Sequence, residues 1–440
     1  MARVSGTANA LLRKIGPTKP AGAYAAVVAL AFLYFFRPED FLTPLHAIPM
    51  AKITGVVALV ALIFNQMGGG GSTKMPRETK LMLLLLLWLC ICIPFAYWIT
   101  GAFNVVTQKF AKAVITGFLV TMIVRSLPWL RRLVFLQAFA VVLIVAIAFL
   151  THSRDHSGRL ALGNGEYDNA NDLAMAIAIN LPFCMMFMLR ARSPFIKAFW
   201  GLGVCGLLIG LMATYSRSGF VAAAVAMVLS LWDFGIKGRR FYLVAGVCVL
   251  GVLLVVVAPA KYRARLITIF TMEGDSVDPS GASAVHRMEL LKQSMGLALK
   301  HPIFGVGAGN FPIVAGNWQV AHNTYTELAS EAGFPGLFIF ILLLRAAYVS
   351  IRDARNRAEQ TGDRELRLLA GGLWASFATY AVAAFFADSA YQLYVYFLLS
   401  YMPCFAYIAN AAEINTGPAV APPSGTRKKI YGRLQPAWLR

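Results

Sequence analysis

The sequence predicts an all-α polytopic membrane protein, and three observations support this fold class. Of the 440 residues, 58% are hydrophobic and only 14% are charged, a balance that leaves a soluble domain too few polar groups for its surface. Apolar runs of about 20 residues, the length that spans a bilayer as a helix, recur along the chain. These runs leave no separate soluble catalytic domain, only one long gap at 259–334.

About twelve spans are expected from the apolar runs. Their expected bounds are 22–36, 47–65, 80–100, 105–124, 130–150, 170–189, 194–213, 218–234, 241–258, 335–351, 367–386 and 389–410. The first is short for a bilayer, and the fourth carries Lys109 and Lys112 near one end. These long side chains are expected to snorkel towards water or to face a cavity.

Lys and Arg are concentrated in alternate connections, including 74–80, 125–132, 190–197 and 237–240. Because short cytoplasmic loops carry an excess of these residues, both termini are predicted to be cytoplasmic. The predicted organisation is a cytoplasmic segment at 1–21, spans one to nine at 22–258, a large periplasmic loop at 259–334, spans ten to twelve at 335–410, and a disordered basic cytoplasmic tail at 411–440.

The net charge of +20 follows from this inner-loop bias and from attraction to anionic membrane lipids, so no nucleic-acid partner is predicted. All six cysteines lie inside apolar stretches, which argues against a disulfide framework or a zinc site. Neither a cofactor nor a metal is expected. His152, Asp155 and His156 share a polar loop with two arginines, and their spacing supports a metal site poorly.

Three ionisable residues stand out because each falls at the predicted outer membrane face. Arg217 lies in the short turn TYSRSGF between spans seven and eight, where it either snorkels to the interface or points into the bundle. Arg287 begins an amphipathic helix that Pro302 ends, on the flank of an apolar stripe formed by Val285, Met288, Leu291, Met295 and Ala298. The alternative for Arg287 is a solvated interfacial charge.

His322 is the third, and it lies at a predicted helix start. Asn323 or Thr324 can cap this helix, Thr324 and Glu327 have capping-box spacing, and Gly333 with Pro335 predicts its end. The positive end of the helix dipole would lower the pKa of His322 and keep it neutral, as a general base requires. A lone histidine is nevertheless more often structural.

The run FGVGAGNF lies between the last two of these residues, with glycines at 305, 307 and 309. It predicts a tight turn, and the alternative is that backbone amides around Gly307 and Gly309 contribute to binding a phosphate. No nucleotide-binding strand precedes it. Glu327 and Glu331 share a helix face, where they are either solvated or paired with a cation.

Three stretches together resemble the family of bacterial O-antigen ligases and O-antigen polymerases. They are SRSGF at 216–220, HPIFGVGAGNF at 301–311 and AHNTYTELASEAGFPGL at 321–337, in the order and spacing of the family. RPED at 37–40 and YDNANDLAM at 167–175 look like segments of the exosortase-associated O-glycosylation ligase branch.

The resemblance implies a membrane-embedded, GT-C-type, metal-independent and inverting glycosyltransferase of the bacterial inner membrane. It would use an undecaprenyl-diphosphate-linked glycan as donor on the periplasmic face. By the same resemblance, Arg217 and Arg287 would hold the diphosphate and His322 would deprotonate the acceptor hydroxyl. Asn323 is a weaker candidate, and Asp388 in FFADSAYQ corresponds to an acidic residue that family members carry before the last span.

Several acceptors stay open at this point. A ligase would use a sugar of the lipid A core, a polymerase a growing glycan, and a protein-modifying enzyme a Ser, Thr or Tyr. The ligase is favoured. The alternative from another class is a transporter or flippase of the lipid-linked glycan, which the absence of evident repeated halves and the position of the candidate residues at one face argue against.

Overall fold

The computed structural model describes residues 21–36, 50–67, 74–155, 158–162, 167–257, 284–316 and 318–416. The predicted cytoplasmic segment up to residue 20, the RPED run at 37–40, His156 and the first part of the predicted periplasmic loop lie outside the described residues.

The described residues fold mainly into helices, joined by short turns and a few longer connections. Its helices are α1 (Ala21–Phe36), α2 (Met50–Met67), α3 (Arg77–Cys92), α4 (Ile99–Asn104), α5 (Ala111–Ile123), α6 (Leu127–Leu150), α7 (Ala170–Arg190), α8 (Pro194–Ala213), α9 (Arg217–Ser230), α10 (Phe241–Val257), α11 (Ala284–Lys300), α12 (Phe311–Val314), α13 (Thr324–Gln360), α14 (Arg364–Ala383) and α15 (Leu393–Thr416). A π-helical turn, Val105–Phe110, joins α4 to α5, and a second, Leu231–Ile236, extends α9.

Within the described ranges, nine helical segments are long and apolar enough to cross a membrane, and three shorter apolar helices fall at Gly22–Phe36, Met50–Phe64 and Phe241–Gly251. The protein is therefore an all-α polytopic membrane protein. All twelve expected spans coincide with apolar helices, but three of these helices are short, so the predicted count of twelve is not confirmed.

Several predicted bounds were wrong because hydropathy reports the apolar part of a helix and not its full length. The fourth span starts at Ile99, since α4 and the π-helical turn precede α5. The tenth was expected to stop at residue 351, yet α13 continues to Gln360 through a charged stretch. The basic tail was expected from residue 411, whereas α15 continues to Thr416, and residues 417–440 lie beyond the described chain.

Helix α13 consists of two legs separated at Gly333, as the sequence predicted. Gly333 adopts a left-handed φ of 69°, and a Cβ atom there would overlap the carbonyl oxygen of Ile303. The backbone groups released by the break find partners elsewhere, since the Trp88 indole donates to the Ala332 carbonyl at 2.8 Å and the Phe334 amide donates to the Pro302 carbonyl at 2.8 Å. The break therefore leaves no buried polar group unpaired at these positions.

The second leg of α13 separates two ends of the bundle. Counted from Phe334 to Gln360, it is about 40 Å long, which exceeds the roughly 30 Å of bilayer hydrocarbon. The His322 end holds the starts of α7, α9, α13 and α15. The opposite end holds the connection from α13 to α14, where Glu365 accepts hydrogen bonds from Arg131 and, at 3.2 Å, from Arg190.

Candidate functional site

His322 directly precedes the cap of α13 and adopts a left-handed φ of 51°. Of the two residues that the sequence offered as caps, the structure uses Asn323, whose side-chain oxygen accepts the amides of Tyr325 and Thr326 at 3.0 and 3.1 Å. The expected capping box between Thr324 and Glu327 does not form, because Thr324 lies one residue inside the helix.

The start of α13 is bound to the connection between α14 and α15. The Thr324 amide donates to the Ala384 carbonyl at 2.8 Å, and its hydroxyl donates to the Ala387 carbonyl at 2.7 Å. The Asn323 amide group donates to the Phe385 carbonyl at 3.1 Å. These bonds hold Asp388, which lies between Ala387 and Ser389, beside His322.

His322 and Asp388 form the centre of the site. His322 Nδ1 lies 3.7 Å from Asp388 Oδ1, and the side chains are only 16% and 24% exposed. The helix dipole favours a neutral imidazole, whereas an ionised Asp388 favours imidazolium and can orient the ring. The separation of 3.7 Å is within ion-pair distance but longer than a hydrogen bond.

Burial raises the pKa of Asp388 to about 6, and the positive charges of Lys109 and Arg287 oppose this rise. Both cations therefore lie close enough to act electrostatically on the carboxylate. Lys109 belongs to the π-helical turn before α5, and such turns often accompany functional sites. From the sequence alone, Lys109 was expected to snorkel towards water or to face a cavity.

Met288 and Met295 of the apolar stripe predicted on α11 are exposed, as a face for lipid allows. Leu290, Ser294 and Ala298 are fully buried, and of these only Ala298 belongs to that stripe. The spacing of these three residues places Arg287 in line with the packed face of α11. Tertiary contacts with α13 and with Phe311 and Ala321, which join Leu290 in a small core, decide which face is covered.

Arg217 is the first residue of α9, after Ser216, which caps that helix by accepting the Gly219 amide at 3.2 Å. The Ser216 hydroxyl donates to Asn171 Oδ1 at 2.8 Å, which fixes the start of α9 against the start of α7. The next residue of α7, Asp172, accepts from Gln392 at 3.3 Å. This chain of contacts brings Arg217 to the same end of the bundle as Asp388 and His322.

The glycine-rich run closes the C-terminal end of the first leg of α13. The amides of Val306 and Gly307 donate to the Ser330 and Glu331 carbonyls at 2.8 and 2.9 Å. The buried Glu331 carboxylate accepts the Gly309 amide at 2.7 Å and the Phe311 amide at 3.0 Å. Since the Gly307 and Gly309 amides are both engaged, this geometry favours the tight turn over a phosphate site.

In the polar loop after α6, Asp155 forms an ion pair with Arg159 at 2.8 Å. Within the residues that the structure describes, no three His, Cys, Asp or Glu side chains are grouped in a way that could hold a metal ion.

The profile of the O-antigen ligase family matches residues 202–341. This stretch contains Arg217, Arg287 and His322 and ends before Asp388. A comparison with curated proteins finds no match. Residues 202–341, about a third of the chain, are therefore similar to the O-antigen ligase family.

Proposed function

We propose that the protein is a glycosyltransferase that moves a glycan from undecaprenyl diphosphate to an acceptor hydroxyl on the periplasmic face of the inner membrane. The observation that carries this proposal is the placement of His322 against Asp388, with the charge of Arg287 acting on the same carboxylate. These observations support the assignment of His322 as the base, Asp388 as its positioning group and Arg287 as a cation for a phosphate.

The proposed reaction needs a base and a sink for negative charge. His322 takes the proton of the acceptor hydroxyl, whose oxygen attacks the anomeric carbon of the first sugar. The bond from that carbon to the diphosphate oxygen breaks on the opposite face, and the configuration inverts. The electron pair leaves with undecaprenyl diphosphate, whose added charge Arg217 and Arg287 stabilise by paired hydrogen bonds in place of a metal ion.

Asp388 is proposed as a positioning residue for His322, not as a catalytic one. When ionised, it holds Nδ1 of the ring and stabilises the imidazolium that forms on proton transfer. The preferred acceptor is a sugar of the lipid A core, as in a ligase. A growing glycan or a protein hydroxyl would use the same chemistry with another acceptor.

The test uses the purified full chain, a lipid-linked oligosaccharide and each acceptor class, in the presence of EDTA. His322→Ala is expected to lower the rate of transfer by about 10²- to 10⁴-fold, the usual contribution of a general base. His301→Ala is the matched control, because that histidine is exposed and lies at the end of α11. Full activity in His322→Ala, or no transfer by the wild type to any acceptor, contradicts the mechanism.

The diphosphate role of Arg287 is tested by Arg287→Lys, which keeps the charge and loses the planar fork. Weaker donor binding is expected, whereas Arg352→Lys, in an exposed arginine near the opposite end, serves as the control. Wild-type donor binding by Arg287→Lys contradicts bidentate recognition. Movement of the lipid-linked glycan across vesicles without bond formation would instead support a flippase.

A further inference from the structure

A second polar site lies at the opposite end of the bundle, away from His322. A cavity of about 540 Å³, here called the basic cavity, is lined by six basic and two acidic side chains, a net charge of four. Its lining comes from three segments: the turn from Asp233 to Arg240, the end of α13 and the start of α14. The volume falls in the range of about 300–1,000 Å³ typical of small-molecule sites.

The acidic lining does not neutralise the basic cavity. Asp233 pairs with Arg355, and Glu359 lies 3.6 Å from the same guanidinium, so both acids lie against one cation. Lys237, Arg239, Arg240, Arg364 and Arg367 complete the basic lining. Several guanidinium groups converging on one cavity suit phosphate oxygens, which they can grip with paired hydrogen bonds.

The turn that supplies half of these cations has a defined shape. Arg239 adopts a left-handed φ of 52°, and Arg240 folds back to donate to the Phe234 carbonyl at 3.2 Å. A Cβ atom on Gly238 would overlap that same carbonyl oxygen. The turn therefore holds its basic side chains beside the ends of α13 and α14 by backbone geometry.

The position of the basic cavity favours a lipid headgroup over a soluble anion as its ligand. Arg355 lies about 32 Å along α13 from Phe334, which brings it to the headgroup layer if the break at Gly333 lies at the other one. Trp232, Phe241 and Tyr242 flank the lining turn, and each has more than half of its surface exposed. Exposed aromatic side chains at helix ends are typical of the membrane interface, where they contact the upper acyl chains.

We propose that the basic cavity binds the headgroup of an acidic phospholipid, with a preference for one that carries two phosphates. The phosphates lie among Lys237, Arg240, Arg364 and Arg367, and the acyl chains run along the exposed face of the π-helical turn and α10. Because α13 and α14 connect the basic cavity to the His322–Asp388 pair, a bound lipid also fixes the ends of the helices that form the site. This inference does not depend on the proposed function.

The test titrates the delipidated full chain with cardiolipin, phosphatidylethanolamine or inorganic phosphate and follows binding by native mass spectrometry. Lys237→Gln combined with Arg367→Gln removes two exposed cations from different segments of the basic cavity. At about fivefold for each charge near an anionic headgroup, cardiolipin affinity should fall by about thirtyfold. The matched control is Arg192→Gln combined with Lys197→Gln, which removes the same charge from exposed positions elsewhere on that end.

We expect wild type and the control variant to bind cardiolipin tightly and the cavity variant to bind it weakly. Inorganic phosphate should not compete. An equal loss of affinity in both double variants would mean that general surface charge attracts the lipid, which overturns the proposal. Competition by phosphate at the concentration of the lipid would assign the basic cavity to a soluble anion and overturn it as well. Thermal unfolding of each variant checks that the fold is intact.

Discussion

The substitution Asp388→Asn tests two effects of the Asp388 charge: its effect on the free energy of unfolding and its effect on the rate of glycan transfer. Burial raises the pKa of this carboxyl from 3.8 to about 6 in the folded protein. Below pH 3.8, both folded and unfolded chains hold the proton, and no cost arises. Between these two values only the folded chain is protonated, so stability falls as the pH rises, and above pH 6 the full cost applies.

The size of that cost follows from the shift of about two pKa units. At about 1.4 kcal/mol per unit, ionised Asp388 lowers the free energy of unfolding by at most about 3 kcal/mol above pH 6. Asparagine has a similar shape and carries no charge. We therefore expect Asp388→Asn to be more stable than wild type at pH 8, with the difference disappearing towards pH 4, while the rate of glycan transfer falls.

The assay is thermal unfolding of the purified chain in detergent from pH 4 to 8, with the transfer rate measured in parallel. Asp353→Asn is the control, because Asp353 is 41% exposed and pairs with Arg352 at the opposite end, where a charge costs little. If Asp388→Asn is destabilised equally at pH 4 and pH 8, the carboxylate is not a buried charge held at a cost. If it is stabilised and fully active, Asp388 does not position His322.

Three further substitutions test the framework of the site. Glu331→Gln should lower the free energy of unfolding by about 1–3 kcal/mol in a denaturant titration, because one of two buried loop amides loses its acceptor. Gly333→Ala should prevent folding, as judged by size-exclusion chromatography, since it meets backbone and needs a left-handed φ, whereas Gly296→Ala in open helical space should stabilise by about 0.5–1 kcal/mol. Lys109→Gln should raise the pH at which the stability difference between Asp388 and Asp388→Asn is half complete, because the charge of Lys109 lowers the Asp388 pKa. An unchanged midpoint would contradict the proximity of Lys109 and Asp388.

Features set by a few neighbouring residues were predicted well from the sequence. The helical break at Gly333 is confirmed, and Asn323 was one of the two caps offered for α13. Both depend on local backbone geometry, which a glycine with a left-handed φ or a side-chain cap determines within one turn. The predicted apolar runs coincide with helices because hydropathy is also a local property, although charged extensions such as the end of α13 were missed.

Features that depend on contacts between distant segments were predicted poorly. The apolar stripe of α11 was expected to face lipid or the bundle, and the sequence could not decide between them, because an apolar side chain is stable in both environments. Asp388 was indicated only by resemblance, since nothing local to FFADSAYQ shows that Thr324 will bind Ala387 and bring the carboxylate to His322. The structural use of Glu331 was missed because its partners are loop amides and not a cation.

Three acids at the His322 end of the bundle, Glu331, Glu327 and Asp388, differ in what their oxygen atoms contact. Both oxygens of Glu331 accept backbone amides of the glycine-rich run, so its charge is committed to the loop. Glu327 accepts the Ala390 amide at 3.3 Å and thereby ties α13 to the start of α15. Asp388 Oδ1 lies 3.7 Å from His322 Nδ1, and two cations, Lys109 and Arg287, oppose the rise in the pKa of its carboxyl. Under the proposed mechanism, Asp388 is therefore the acid of these three that can stabilise the imidazolium formed on His322.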